Sequence, residues 1–272
     1  MGRFTKTLSR PVRDIMNVSP VVVRPDSPAT RVRRLFRETG ARVVYVTDRD
    51  GRLLGWITRG DILSLTSSKS MAVASQVMSD PPVVLDPSTT VSTALRRMLD
   101  VGEWYAPILE AGRLKGSLGL EEVIASMVEE DPDYLASIEL SEIMTSEVVV
   151  ASPDDPVWTI WAKMVEYKYS GIPVVDSKGR LVGIVTTYDL LAEGARPALE
   201  ASGGPGRGAK VREFMTSPAF YLYPWSRVSE AAETMVKKGY GRIPIVESER
   251  TRKLAGIVDR EDIVSIALDG GR

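Results

Sequence analysis

The chain has 272 residues, 43% hydrophobic and 26% charged, with a net charge of −1; this suits a soluble chain of roughly two domains and gives no global pull toward nucleic acid or anionic lipid. It contains neither cysteine nor histidine, which excludes disulfides, thiolate metal sites and imidazole acid–base chemistry and shifts the expectation from catalysis toward binding. No apolar run approaches the ~18 residues of a membrane span, and residues 1–10 lack the apolar centre of a signal peptide, so a cytoplasmic location without membrane contact is expected.

In chain order, one pattern recurs four times. Each unit opens on a methionine, Met16, Met78, Met144 and Met215, spaced by 62, 66 and 71 residues. Short β-rich runs follow at 21–23, 83–85, 148–150 and 220–222, each ending in turn and cap residues such as Asp86-Pro87-Ser88. Apolar residues then recur with helical period: Val91, Leu95, Met98 and Leu99 in the second unit, and Val157, Ile160, Trp161, Met164 and Val165 in the third. A strand follows at Val44, Pro107, Pro173 and Pro244, 28 or 29 residues after each methionine. A polar turn leads to a second strand carrying Gly55, Gly116, Gly183 or Gly256. An acid lies six residues past each glycine (Asp61, Glu122, Asp189, Asp262), followed by an apolar pair that opens the last helix. Each unit therefore reads strand, helix, strand, strand, helix. The units run over 10–68, 72–130, 138–194 and 209–269, with a glycine-rich linker at 195–208 and an acidic break at 129–133.

The methionines, Gly171-Ile172-Pro173-Val174-Val175-Asp176 and Gly183-Ile184-Val185-Thr186-Thr187-Tyr188-Asp189, repeated in register, resemble the CBS (cystathionine β-synthase) domain. The resemblance implies an α/β (α+β) fold of βαββα modules. Consecutive modules would pair through their sheets as Bateman modules, and two pairs would form a flat disc, as one chain or as a homodimer. It further implies adenine nucleotides (AMP, ADP or ATP) or S-adenosylmethionine bound between paired modules, with no cofactor required and no catalytic motif. The output would pass to a separate effector protein.

In the family pattern the acid of Thr-x-x-Asp bonds the ribose hydroxyls, and a carboxylate's two acceptor oxygens do match a vicinal diol. Thr58 with Asp61 and Thr186 with Asp189 keep both residues. The same spacing makes a helix capping box, and the two roles are compatible. Unit four has Asp262 with Asp259 replacing the threonine; unit two, with Gly119 and Glu122, lacks the hydroxyl. One good site per half is expected, on units one and three, with Asp262 a third and unit two empty. Arg42 and Arg242 share a column ahead of the second strand, where an arginine can pair two phosphate oxygens; Lys168 is a weaker candidate. Val43, Ile172 and Pro173, at the start of that strand, complete the nucleotide-binding set the resemblance implies.

Trp56, Trp158, Trp161 and Trp225 read as packing residues, and Trp104 as a stacking candidate. The alternative function is an interaction factor for ribosome or RNA, using basic segments 3–13 and 31–37, although such clusters usually form a solvated helix face. Arg and Val richness without Cys or His points to a thermophilic source.

Overall fold

A computed structural model describes residues 3–65, 71–192 and 208–269; the glycine-rich linker lies almost wholly outside them. Unit 1 is a three-stranded sheet in which β1 (Val22–Val23) runs parallel to β2 (Val43–Thr47), itself antiparallel to β3 (Leu53–Thr58). Units 2, 3 and 4 contribute the hairpins β4–β5 (Tyr105–Glu110, Arg113–Gly119), β6–β7 (Gly171–Val175, Leu181–Thr186) and β8–β9 (Arg242–Val246, Leu254–Asp259). Their expected first strands shrink to single parallel bridges, Leu85 to Ile108, Ala151 to Val174 and Leu222 to Ile245. A proline follows two residues after each bridge residue (Pro87, Pro153, Pro224), as Pro25 follows Val23 in unit 1, and bounds the run because it has no N–H for a ladder.

The helical stripes face inward largely as their period demands. Val91, Leu95 and Met98 are buried on helix Val91–Asp100, as are Val157, Ile160 and Met164 on helix Val157–Glu166. Val165, expected on the same stripe, is 57% exposed. The acidic stretch expected as a break is ordered: helix Leu120–Glu130 runs through Asp131 into helix Pro132–Ser137, whose first turn is capped by the Asp131 carboxylate at 3.0 Å from the Tyr134 N–H.

The two most regular columns of the sequence meet across unit pairs. A Cβ on Gly55 would lie 3.1 Å from Met78 Sδ, and one on Gly116 would lie 2.8 Å from Met16 Sδ. The second pair repeats this, with Gly183 against Met215 and Gly256 against Met144, each at 2.9 Å. Each unit's opening segment thus crosses to its partner's sheet. Two-way backbone bonds seal the crossing, Asn17 with Ser117, Trp56 with Ser79, Thr145 with Ile257 and Ile184 with Thr216.

Small apolar clusters lie between the paired sheets: Val43, Tyr45 and Trp56 in one half, Leu181, Ala219 and Val246 in the other. The large cores run the other way. One joins the helices of units 1 and 3 around Phe36, Ile62, Ile160 and Leu190; the second joins units 2 and 4 around Leu95, Ile124, Met235 and Ile263. Since burying such side chains stabilises by about 1.5–3 kcal/mol each, the halves are fused by apolar packing. One chain closes its own four-unit ring.

Candidate ligand-binding site between the units

In all four units the acid of the repeat caps the helix that follows β3, β5, β7 or β9. Asp189 Oδ2 accepts from the Thr186 N–H at 2.8 Å and the Thr186 hydroxyl at 2.6 Å. Asp189 Oδ1 accepts from the Thr216 hydroxyl at 2.9 Å, a residue of unit 4's crossing segment. Thr58 and Asp61 form the same box at 2.7 Å for both bonds. In unit 4 the Asp262 carboxylate accepts from the Asp259 N–H at 2.7 Å, and the extra charge of Asp259 faces Arg242 at 3.8 Å. Burial, then Asp259, pushes Asp262 up to about 7. In unit 2, Glu122 accepts from the Gly119 N–H at 2.7 Å, and burial, then Glu121, pushes it up to about 7.

Two cavities open where these corners meet the other units. The larger, about 620 Å³, is lined by Thr186, Tyr188 and Asp189 of unit 3, Thr216 and Lys238–Arg242 of unit 4, and Arg42 and Arg59 of unit 1. The smaller, about 290 Å³, is lined by Val43, Thr58 and Gly60 of unit 1, Glu103, Trp104 and Tyr105 of unit 2, and Trp161, Lys168 and Tyr169 of unit 3. Arg42, Arg59, Ser170 and Arg242 line both.

Of the residues expected at a site, Thr186, Asp189, Arg42 and Arg242 are brought together in the larger cavity, and Thr58 and Val43 lie on the smaller. Asp61, Asp262, Ile172 and Pro173 line neither. The reason is the face-to-face pairing. The strand that completes unit 3's hollow is β8 of unit 4, supplying Arg242 and Pro244, while Ile172 turns into the core at 0% exposure. Two arginines from outside the pair, Arg42 and Arg59, arrive from the other half of the ring.

Three guanidiniums converge here, with Asp189 acting on Arg59 and Asp259 and Asp262 on Arg242. Arg42 donates to the Gly239 carbonyl at 2.7 Å, and Arg59 to the Gly40 and Ala41 carbonyls at 2.5 and 2.9 Å. Arg242 donates to the Gly171 carbonyl at 2.8 Å and sits 5.1 Å from the Tyr169 ring centroid. Among the described residues its Nε is buried without a partner. Among the described residues the three meet four carbonyls and one carboxylate, Asp259. Burial, then the neighbouring Arg42, lowers Arg59 to about 10. Burial also lowers Arg242, with Asp259 opposing and Arg42 assisting. Such a cluster is relieved by an anion that brings acceptor oxygens.

The sequence reading passed over Arg59 and Lys238. Arg59 lies inside the Thr58–Asp61 motif and shares its column with Arg260, which was the available signal. Both arginines buckle back to their own unit and then face the unit across the ring. Arg59 lies over Tyr188 of unit 3 at 5.0 Å; Arg260, 2% exposed, bonds Glu121 and Tyr105 of unit 2, each at 2.7 Å. Trp104 joins that contact by donating to Glu261 at 3.2 Å. Unit 2's own corner is full, since a Cβ on Gly119 would lie 2.6 Å from the Tyr105 ring.

Trp56 is buried, as expected of a packing residue, whereas Trp225 stacks on Tyr223 at 4.9 Å with 56% of its surface exposed. In the basic segments, Arg3 pairs with Asp131, Arg10 and Arg13 with Asp14, and Arg34 with Glu38. No helix among the described residues is long and apolar enough to cross a membrane, and no described group of His, Cys, Asp or Glu side chains could hold a metal ion.

The family model for the CBS domain matches residues 12–68, 73–129, 140–196 and 211–269. The chain is 27% identical over 271 residues to the uncharacterised protein MJ1404 of Methanocaldococcus jannaschii, covering 96% of this chain and 63% of that protein's length. It is 32% identical over 149 residues to inosine-5′-monophosphate dehydrogenase of the same organism, covering 55% of this chain and 27% of that enzyme. In fold it is similar to the crystal structure of M. jannaschii MJ1225, suggested to be an archaeal homolog of g-AMPK. The TM-score is 0.81 at 21% identity, over 94% of this chain and 99% of that one.

Proposed function

Because the chain belongs to the CBS domain family, we propose that its larger cavity binds an adenine nucleotide (AMP, ADP or ATP) and that occupancy regulates a separate partner protein. One observation carries this reading: a threonine–carboxylate corner and four cations, Arg42, Arg59, Lys238 and Arg242, share one 620 Å³ hollow. A carboxylate has about four lone-pair positions. The helix cap uses two on Asp189 Oδ2, and Thr216 one on Oδ1. The remaining one points a ribose hydroxyl to Asp189, while the arginines take the phosphates bidentately. An S-adenosyl ligand would satisfy the corner but brings a single carboxylate together with a sulfonium and an ammonium toward four cations, so the phosphates of a nucleotide match the charge better.

The same geometry supports a regulatory output. Arg42 crosses from unit 1 to Gly239 of unit 4, and the Tyr188 hydroxyl reaches the Arg37 carbonyl at 3.3 Å. A phosphate that recruits Arg42 draws the two halves together. A ligand held at about 1 µM supplies roughly 8 kcal/mol, ample for site-to-site couplings of about 1–3 kcal/mol. This reading gives the protein a binding role, in keeping with a chain that offers neither imidazole nor thiol for acid–base or nucleophilic chemistry.

Calorimetric titration with AMP, ADP and ATP tests this. Asp189→Asn removes the charge from the ribose contact, which is worth about 1.5–3 kcal/mol, so affinity falls roughly tenfold to a hundredfold. Absence of heat with all three nucleotides at millimolar concentration, or unchanged affinity in the variant, overturns the reading.

A further inference from the structure

Unit 4 departs from the repeat at two places, and both lie on one surface. Its opening run places Tyr221, Tyr223 and Trp225 two residues apart, so the three rings share one side of an extended segment while Leu222 between them turns into the core. At the columns of Tyr223 and Trp225 the other units have Arg24 and Asp26, Asp86 and Ser88, and Ser152 and Asp154. The rings form a row. Tyr221 stands edge-on to Tyr223 at 5.8 Å, and Trp225 lies parallel to Tyr223 at 4.9 Å and ends the row 56% exposed.

The second departure is at the hairpin tip. Residues 51, 112, 179 and 252 share a column there and all are left-handed, with φ of 78°, 76°, 73° and 50°. Three are glycine, which takes this conformation without a steric penalty. Only unit 4 keeps a side chain, and the Arg252 guanidinium lies 5.9 Å from the Tyr221 ring centroid, at the other end of the row. Unit 3's tip joins it: the Leu181 N–H bonds the Arg252 carbonyl at 2.8 Å, and the Leu254 N–H bonds the Gly179 carbonyl at 3.1 Å. Residues 176–180 and 247–253 together carry five cations against three carboxylates. Among the described residues of these tips, only Arg180 and Asp176 form an ion pair. Glu249 and Arg252 act on the Tyr223 hydroxyl with opposite sign.

We propose that this surface binds single-stranded RNA, with bases stacked along Trp225, Tyr223 and Tyr221 and phosphates drawn to Lys178, Arg250, Arg252 and Lys253. An aromatic row beside unpaired cations holds a single strand because every base has a π-face and every nucleotide a phosphate. A proline-rich peptide would use the rings and not the cations. A duplex keeps its base faces stacked away from the rings. The tyrosine hydroxyls can donate to and accept from a ribose 2′-hydroxyl, which DNA lacks. The other half of the ring supplies a control, since its tips pair the same way and carry Arg49, Arg52, Arg113 and Lys115, but its columns hold no aromatic row. None of the proposed RNA contacts lines either cavity, so the surface stands apart from the nucleotide reading.

Anisotropy of a labelled oligouridylate titrated with the full chain tests this. Saturable binding is expected, with log affinity falling against log salt at a slope of about −3 for four phosphate contacts. Trp225→Ala should weaken binding roughly fivefold to a hundredfold, the worth of one stacked base, and Trp225→Phe should recover most of it; Tm shows that both fold. Arg252→Gly, which restores the residue of the other three units, should flatten the slope by about 0.7. Arg113→Gln, on the tip without rings, should leave binding unchanged. Oligothymidylate and duplex RNA should compete poorly. Absence of oligouridylate binding at low salt, or binding that survives both Trp225→Ala and Arg252→Gly, overturns the proposal. Oligothymidylate bound as tightly as oligouridylate overturns the assignment to RNA. A chain without RNA affinity that binds a proline-rich peptide, or that dimerises through Trp225, overturns it as well.

Discussion

Replacing Gly183 with alanine tests both how the units are held together and how that pairing reaches the cavity. The added Cβ would lie 2.9 Å from Met215 Sδ and 2.9 Å from the Thr216 carbonyl oxygen. The methionine can swing aside. The carbonyl cannot, because Thr216 and Ile184 exchange backbone bonds of 2.8 and 3.1 Å. The crossing segment must therefore move off the sheet by a few tenths of an ångström. Overpacking of this kind costs about 1–3 kcal/mol, and for a chain of this size each kcal/mol lowers Tm by about 2–4 °C. The same segment carries the Thr216 hydroxyl that fixes Asp189 Oδ1 at 2.9 Å, so nucleotide affinity should fall along with stability. Scanning calorimetry and nucleotide titration of Gly183→Ala read both effects. Wild-type stability in this variant, or full recovery on adding Met215→Ala, would refute the reasoning, since the rigid carbonyl would then not be the obstacle.

Arg260→Met strands Glu121 and Tyr105 inside the contact between units 2 and 4 and is expected to cost about 3–5 kcal/mol in denaturant unfolding; adding Glu121→Gln should recover part of it, and a neutral single variant contradicts the account. Glu122 is raised to about 7 in the folded state, chiefly by burial. Folding thus favours its protonated form, and the associated stability fades as pH climbs from its unfolded value, about 4.3, through 7. Glu122→Gln should flatten that decline and stabilise the protein at alkaline pH; an unchanged slope between acid and alkaline urea melts counts against it. Asp262 titrates in the same direction, so some slope should persist. Lys168 follows its unit's first helix at φ 55°, where the other units place Gly40, Gly102 and Gly239; Lys168→Gly should add about 1 kcal/mol of thermal stability by relieving that left-handed backbone, and a lower Tm would contradict it.

Local features were the ones legible in the sequence. Thr186 and Asp189 cap a helix through bonds between residues three apart, so spacing alone reveals the box. The methionine and glycine columns were equally visible, yet spacing within a unit cannot say that Met215 covers Gly183 of a different unit. The same limit explains Ile172 and Pro173: position on a strand was readable, but which unit's strand would close the hollow depended on pairing. Thr58 and Asp61 match Thr186 and Asp189 residue for residue, and neighbours from other units, Trp161 beside the first corner and Thr216 bonded to the second, separate their surroundings. Lys168 could have been noticed earlier by aligning it with Gly40, Gly102 and Gly239. The first strands were read too long in units 2, 3 and 4, where each keeps one parallel bridge while unit 1 keeps a two-residue ladder.

Co-crystallisation with AMP measures the central claim most directly. The account predicts electron density in the larger cavity, with a ribose hydroxyl within hydrogen-bonding distance of Asp189 Oδ1 and the phosphate against Arg42 and Arg242. Density confined to the smaller cavity, or an Asp189 corner still filled by solvent at saturating AMP, would contradict it.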